Sequence, residues 1–462
     1  MKKYFLAVAS FFIYSHISLG QVYPGQMDST FVPVRSHHYD PELTFDFCVN
    51  EPAWSNQAGI HSAFGSTDRL YFRKEVPVNH DNDLSSSYST TVWRGERANA
   101  QILVWSSEAL EQVRVSTQDL RSAEGNIIPK DRITFELVRY VLSNYPYAEK
   151  KAICGESPYK SGFLMPDRFE TLDRFDLPSQ TTRPVWMMVD VPRGTAPGTY
   201  KGQVEVRAKG KAPQLLNLEI VVQNQLLPYP KDWKYRLDLW QNPWAVAWYN
   251  HVEPWSPEHK MLLKQHLKHY ADAGGTYITT YGVHSPWSDN SYMIEGGMIE
   301  WIKKADGTWA FDYKIFDEYV ELAMECGIDE AITLYTPIPW GFRHRYKDEA
   351  TGDYSYINWT PSSKEFKKMW NIFLTDFKFH LEAKSWLDIT YIGINENPME
   401  ETLAAINVVR NHDKCWKITY AGNWHKELDG LLDDYSFLYG EEPTIAEQKA
   451  RAATGRTSTV YV

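Results

Sequence analysis

The sequence predicts a multidomain β plus α/β protein: an N-terminal antiparallel β-sandwich, then a (β/α)8-type TIM barrel that lacks its last strand. Three observations predict it. The chain has 462 residues, more than one core sustains, since single cores stop growing near about 250–300 residues. Up to about residue 225, short runs alternate apolar and polar residues and break at Pro/Gly turns, as in Gly202-Gln-Val-Glu-Val-Arg-Ala and Leu216-Asn-Leu-Glu-Ile-Val-Val222; that pattern belongs to antiparallel sheets. Beyond residue 234 the rhythm becomes strand, then helix, repeated, which implies a parallel sheet.

Composition narrows the function classes. Hydrophobic residues make up 43% and charged residues 23%, which excludes wholesale disorder and a multispanning membrane protein. A net charge of −11 argues against nucleic-acid binding by phosphate neutralisation. Aromatic residues reach 15%, with 18 Trp and 29 Tyr. Many must fill cores, but exposed Trp and Tyr faces also pack against the C–H faces of sugar rings.

Residues 1–20 read as an export signal. Lys2 and Lys3 precede an apolar run from Tyr4 to Tyr14, and Ser18-Leu-Gly20 resembles a small-residue cleavage site. The run is too short for the roughly 20 residues that a membrane span requires. Cleavage after Gly20 takes the net charge to −13, leaves no membrane span, and places the protein in the periplasm or outside the cell. Of the four Cys, Cys48 and Cys154 can bridge within the first domain, or all four can remain free thiols; Cys326 and Cys415 complete the set, and the spacing fits no zinc motif.

The sandwich is expected over 21–225, with strands at Ala100–Trp105, Val185–Val191 and the two runs quoted above. Leu226-Leu-Pro-Tyr-Pro-Lys-Asp232 begins a linker over 226–233, kept extended by its prolines. The barrel domain spans 234–462. Its first strand is Tyr235–Trp240. Pro257–Ala273 is an amphipathic helix with Ser256 as N-cap and Gly274-Gly275 as its stop. Thr276–Tyr281 is the second strand. A hairpin over 293–312 turns at Asp306-Gly307. Helix Ile315–Cys326 and strand Ala331–Tyr335 follow, then a long aromatic, basic loop from Thr336 to Trp359. Helix 363–383, strand Asp388–Ile394, helix 399–410 and strands Lys417–Ala421 and Tyr435–Tyr439 continue the rhythm. A helix over 444–453 and a seventh strand, Thr457–Val462, end it. An eighth strand and helix are missing, so the chain is expected to be truncated, or the barrel open or closed in another way; no Gly-rich turn after the first strand supports a dinucleotide fold.

Active sites of such barrels lie at the C-terminal ends of the strands. Those ends carry Trp240-Gln241-Asn242, Tyr281 with His284, Tyr335 with Trp340 and Arg343 in its loop, Asn395-Glu396-Asn397-Pro398, Gly422-Asn423-Trp424-His425, and Glu441-Glu442. Glu396 leaves the apolar run Tyr391-Ile-Gly-Ile394, where partial desolvation would raise its pKa and suit a general acid. The alternative is a carboxylate paired with a loop Arg. Trp240, Tyr335 and Trp340 form a sugar-stacking wall or pack the barrel mouth. Asn423 and Trp424 are placed to meet hydroxyls or an acetamido methyl. Arg343, His344 and Arg345 are read as a solvated loop rather than a reader of acidic glycans. His266 and His269, at i and i+3 on one helix with no carboxylate motif nearby, are surface residues; no metal or cofactor site is expected.

The linker and first-strand run Leu-Pro-Tyr-Pro-Lys-Asp-Trp with Leu-Asp-Leu-Trp-Gln-Asn-Pro, and Tyr391-Ile-Gly-Ile-Asn-Glu-Asn-Pro-Met399, resemble glycoside hydrolase family 123, the exported β-N-acetylgalactosaminidases. The resemblance runs from the β-rich first domain to the C-terminus, and family members continue past it. It implies a glycan substrate, a β-N-acetylhexosaminide, and a retaining, substrate-assisted mechanism. There an adjacent Asp-Glu pair after the fourth strand works with the sugar's own 2-acetamido group. Aligned so that Glu396 matches the acid/base Glu, Asn395 stands where the family has Asp. In the other register Glu396 replaces the Asp and Asn397 the Glu; the first register needs one replacement rather than two. Either way the site is weakened. The alternatives are a non-catalytic carbohydrate-binding protein, or a chain whose open barrel leaves edge hydrogen bonds unpaired. Oligomeric state, natural glycan and preference between N-acetylgalactosamine and N-acetylglucosamine are left open by the residues.

Overall fold

The computed structural model describes residues 51–78, 84–143, 163–287 and 296–461. The expected leader, Cys48 and Cys154 lie outside the described residues. The chain divides into two compact units, and the division falls between Leu227 and Pro228.

The first unit is sandwich-like. One sheet runs in the order His61–Gly65, Arg97–Ser106, Thr181–Asp190, Ile133–Ser143 and Phe163–Thr171, with every pair antiparallel. The other runs Ser87–Arg94, Gln214–Leu226, Gly198–Arg207, Leu110–Thr117 and Phe175–Leu177. Its first pair is parallel, a departure from the purely antiparallel expectation. Alternation sets which face is buried: Leu216, Leu218, Ile220 and Val222 point inward while Leu215 is exposed. These residues meet Ile102, Val104 and Met187 of the facing sheet in one apolar cluster.

In the second unit six parallel strands stand in chain order: Tyr277–Tyr281, Ala331–Tyr335, Thr390–Ile394, Lys417–Gly422, Asp434–Leu438 and Thr457–Tyr461. Helices link them, and strands and helices bury Leu334, Ile392, Ile394, Phe316, Phe373, Phe377 and Val409 together. Ser256 accepts the His259 N–H and starts helix Pro257–Asp272. Thr444 and Glu447 form a capping box at helix Ile445–Ala453.

Three expectations are corrected. Tyr235–Trp240 is not a strand: Leu237 makes one isolated parallel bridge to Gly275, and helix Pro243–Asn250 follows almost at once. The linker is not wholly extended, since Pro230–Asp232 forms a 3-10 turn. The loop over 336–359 contains the antiparallel hairpin Arg343–Asp348 and Tyr354–Asn358. That hairpin joins Glu300–Lys303 and Trp309–Asp312 in a four-stranded sheet. The six-stranded sheet curls, bringing Tyr461 on its last strand within 5.9 Å of the Trp240 ring. Among the described residues no strand pairing closes it, so the TIM barrel of the sequence reading is observed only as this curled sheet.

Candidate active site

Strand Thr390–Ile394 is buried over most of its length and delivers the Asn395-Glu396-Asn397 run to the rim. A Cβ on Gly393 would lie 2.9 Å from the Tyr335 ring, so glycine there lets the ring pack flat against the strand. Asn395 is 4% exposed, and its Nδ2 donates to the Pro286 carbonyl at 3.4 Å. The Trp340 backbone N–H donates to the same oxygen at 3.0 Å. Asn397 donates to the Ile338 carbonyl at 3.2 Å.

Glu396 is exposed at the end of this strand. Among the described residues it has no Arg partner. Oε1 accepts a hydrogen bond from the Tyr461 hydroxyl. The Tyr420 hydroxyl, pushed up to about 12 by burial and then by the Glu396 charge, faces it from the neighbouring strand.

Trp240 is 42% exposed and stacks on Trp287 at 6.2 Å and 9°. Trp287 lies 5.0 Å from Tyr335 and 5.3 Å from Tyr281. Tyr461, which holds Glu396, packs against Trp240. The expected wall therefore contains Trp240, joined by Trp287 and Tyr461, which the sequence reading missed. Tyr335 is 3% exposed and forms the wall's backing rather than a free face. Trp340 is half-buried and tied in through its backbone. Asn423 is exposed, and its carbonyl accepts the Tyr435 hydroxyl at 2.6 Å. Trp424 packs on Tyr435 and Phe437. Both follow directly on strand Lys417–Gly422, which adjoins Thr390–Ile394, with Trp424 turned into that packing.

Two carboxyls went unnoticed in the sequence. Asp238 receives a hydrogen bond from the Trp240 side chain, and burial, then Asp434, pushes its pKa from 3.8 up to about 7. Its Oδ1 is buried without a hydrogen-bond partner among the described residues. Asp434 is 4% exposed and accepts from Thr419 at 3.0 Å and from Thr457. Both charges bear on Tyr335. The signal was an acid against apolar neighbours: Asp238 between Leu237 and Leu239, and Asp434, the second of the pair Asp433-Asp434, at the head of Tyr435-Ser-Phe-Leu438.

His344, expected in a solvated loop, is 2% exposed; Trp370 donates to its Nε2 at 3.3 Å. It points inward because alternate residues of the hairpin face the core. His266 and His269 are exposed. Cys326 is a buried free thiol and Cys415 an exposed one. No helix of the described residues is long and apolar enough to cross a membrane.

Residues 240–462 match the family model of the glycoside hydrolase 123 catalytic domain, and residues 64–208 match that of the glycoside hydrolase 123 N-terminal domain. A family 123 glycoside hydrolase from Clostridium perfringens, studied for glycolipid glycan hydrolysis, is similar in structure with a TM-score of 0.78 at 25% identity; the match covers 87% of this chain and 72% of that one. Weaker likenesses are to a PapD-like domain of human CEP192, with a TM-score of 0.20 at 12% identity over 40% of this chain and 99% of that one. Another is the Salmonella SafD adhesin, with a TM-score of 0.18 at 10% identity over 36% and 99%. No curated protein matches the sequence.

Proposed function

The chain belongs to glycoside hydrolase family 123, and from that premise we propose that it is an exported enzyme, periplasmic or secreted, that releases terminal β-linked N-acetylgalactosamine by a retaining, substrate-assisted mechanism. The curled sheet is read as part of a (β/α)8 barrel whose mouth holds the sugar. The observation that carries the proposal is the placement of Glu396 and Asn395 at one strand end. Tyr461 bonds to the acid, and the Trp240 face stands beside it.

In this reading the sugar's acetamido oxygen attacks the anomeric carbon as the glycosidic C–O bond breaks, giving an oxazolinium. Glu396 gives its proton to the leaving oxygen. Its carboxylate then takes a proton from water, whose oxygen adds to the anomeric carbon and reopens the ring, with overall retention. Asn395 has its amide N–H engaged by Pro286, which leaves Oδ1 to accept the acetamido N–H. It supplies no negative charge opposite the oxazolinium, and losing such a partner costs about 10²–10³ in rate. Trp240 presents a face to the sugar ring; Asn423 and Trp424 meet its hydroxyls or acetamido methyl.

Hydrolysis of 4-nitrophenyl β-N-acetylgalactosaminide tests the reading. Slow turnover that disappears in Glu396→Gln is expected, and turnover that survives the substitution sinks it. The amide at 395 also favours a second reading, a carbohydrate-binding protein without turnover. Calorimetry with N-acetylgalactosamine separates the two: heat of binding with no hydrolysis selects the second.

A further inference from the structure

The hairpin Arg343–Asp348 and Tyr354–Asn358 sets a ladder of cations and rings on one face. Arg343, Arg345 and Lys347 alternate along one strand, and their cross-strand partners are Asn358, Tyr356 and Tyr354. The Arg343 guanidinium sits over the Tyr356 ring at 4.3 Å, and that of Arg345 over Tyr354 at 4.2 Å. Both tyrosines are 49% exposed. Neither arginine has a carboxylate partner among the described residues, whereas the acids nearby are engaged. Glu300 accepts the Tyr354 hydroxyl at 2.7 Å, and Glu318 pairs with Lys260 at 3.2 Å.

The ladder adjoins the candidate site. The Trp340 N–H and the Asn395 side chain converge on Pro286, and the hairpin begins three residues after Trp340. His284, two residues before Pro286, feels both Arg345 and Arg343. Burial first, then those two charges, push its pKa down to about 4, so the ring is neutral at neutral pH. Its Nδ1 is buried without a hydrogen-bond partner among the described residues. Arg345 also lines a cavity of about 430 Å³ in which it, Lys260 and Lys314 stand among Glu300, Asp312 and Glu318, room for one further sugar.

We propose that Arg343 and Arg345, braced on Tyr356 and Tyr354, form a subsite for an anionic sugar adjoining the terminal N-acetylgalactosamine. This rests on the reading of the Glu396 mouth as a saccharide site and names its substrate class: acidic glycans. The physical case has three parts. A guanidinium is weakly hydrated, and its planar fork matches carboxylate and sulfate oxygens. Stacking fixes the fork before the ligand arrives, which lowers the ordering cost. Tyrosine faces suit sugar C–H bonds, and the protein's negative net charge disfavours a polyphosphate backbone as the partner.

Calorimetry of the full chain with three probes tests it: β-N-acetylgalactosaminyl-1,4-galactose, the same disaccharide with sialic acid on galactose O3, and the same with a sulfate ester on galactose O6. At low salt one or both acidic probes should bind about tenfold more tightly than the neutral one, as expected for a charged hydrogen bond, and which one does so tells carboxylate from sulfate. R343Q and R345Q should each remove that preference while leaving neutral binding unchanged. R345K should recover only part of it, since Lys keeps the charge without the fork. Equal affinity for all three probes, or a preference that survives in the double R343Q/R345Q variant, overturns the subsite while the mouth reading stands. Acidic-probe binding that needs the arginines, with no neutral binding, supports the subsite and counts against the mouth. No binding of any probe overturns both.

Discussion

Putting a carboxylate back at position 395 tests the electrostatic account most directly. Asn395→Asp should raise turnover of 4-nitrophenyl β-N-acetylgalactosaminide, with about 10²–10³-fold as the ceiling for restoring such a partner. The measured gain should fall short of that ceiling, because the new carboxylate must turn away from the Pro286 carbonyl that now accepts the amide. A variant no faster than the parent removes the role given to this position. Asp238 yields a second prediction. Its folded pKa of about 7 lies above the ordinary 3.8, so the folded chain binds the extra proton between those values. Stability therefore falls as pH rises from about 4 through about 7. Asp238→Asn should melt a few degrees higher than the parent at pH 8, with the gap closing near pH 4. An unchanged gap across that range would remove the burial argument.

Elements were legible where periodicity and capping agreed. Ser256 marks a helix start by residue type, and the cap is present; the helix over 444–453 was read without its cap, a Thr444–Glu447 capping box. Ser256→Ala should cost about 1 kcal/mol, readable as a lower midpoint in urea. Tyr235–Trp240 failed as a strand although it alternates, because among the described residues only Leu237 finds a bridge partner. The hairpin of Arg343–Asp348 was hidden for the opposite reason. Its alternation is carried by Arg, Lys and Tyr rather than by aliphatics, and its inward residue is a histidine. Of the groups gathered around the candidate site, Glu396 could be read from a strand end and Trp240 from a run that proves to be no strand, whereas Trp287 and Tyr461 come beside Trp240 through the curl of the sheet, which no local pattern encodes. Gly393 makes the packing of this element checkable. Gly393→Ala sets a methyl against the Tyr335 ring, and should cost about 1–3 kcal/mol and lower activity through the displaced wall.

At the scale of the whole molecule, two separate apolar clusters predict two calorimetric transitions. Trp370→Ala, at a fully buried position of the second unit, should lower one transition by an amount matching about 3–5 kcal/mol, and Val104→Ala should lower the other. A single transition that both variants shift equally would contradict the division at Leu227. The Pro286 carbonyl carries a consequence on a longer timescale. One oxygen is shared by the amide of Asn395 and the backbone of Trp340, so the 395 side chain and the turn after Tyr281 are a matched set. Acidity at 395 is then an epistatic trait, favoured only in company with substitutions over 284–287, and a lineage that has exchanged Asp for Asn meets a barrier to reversal that grows with each compensating change in the turn.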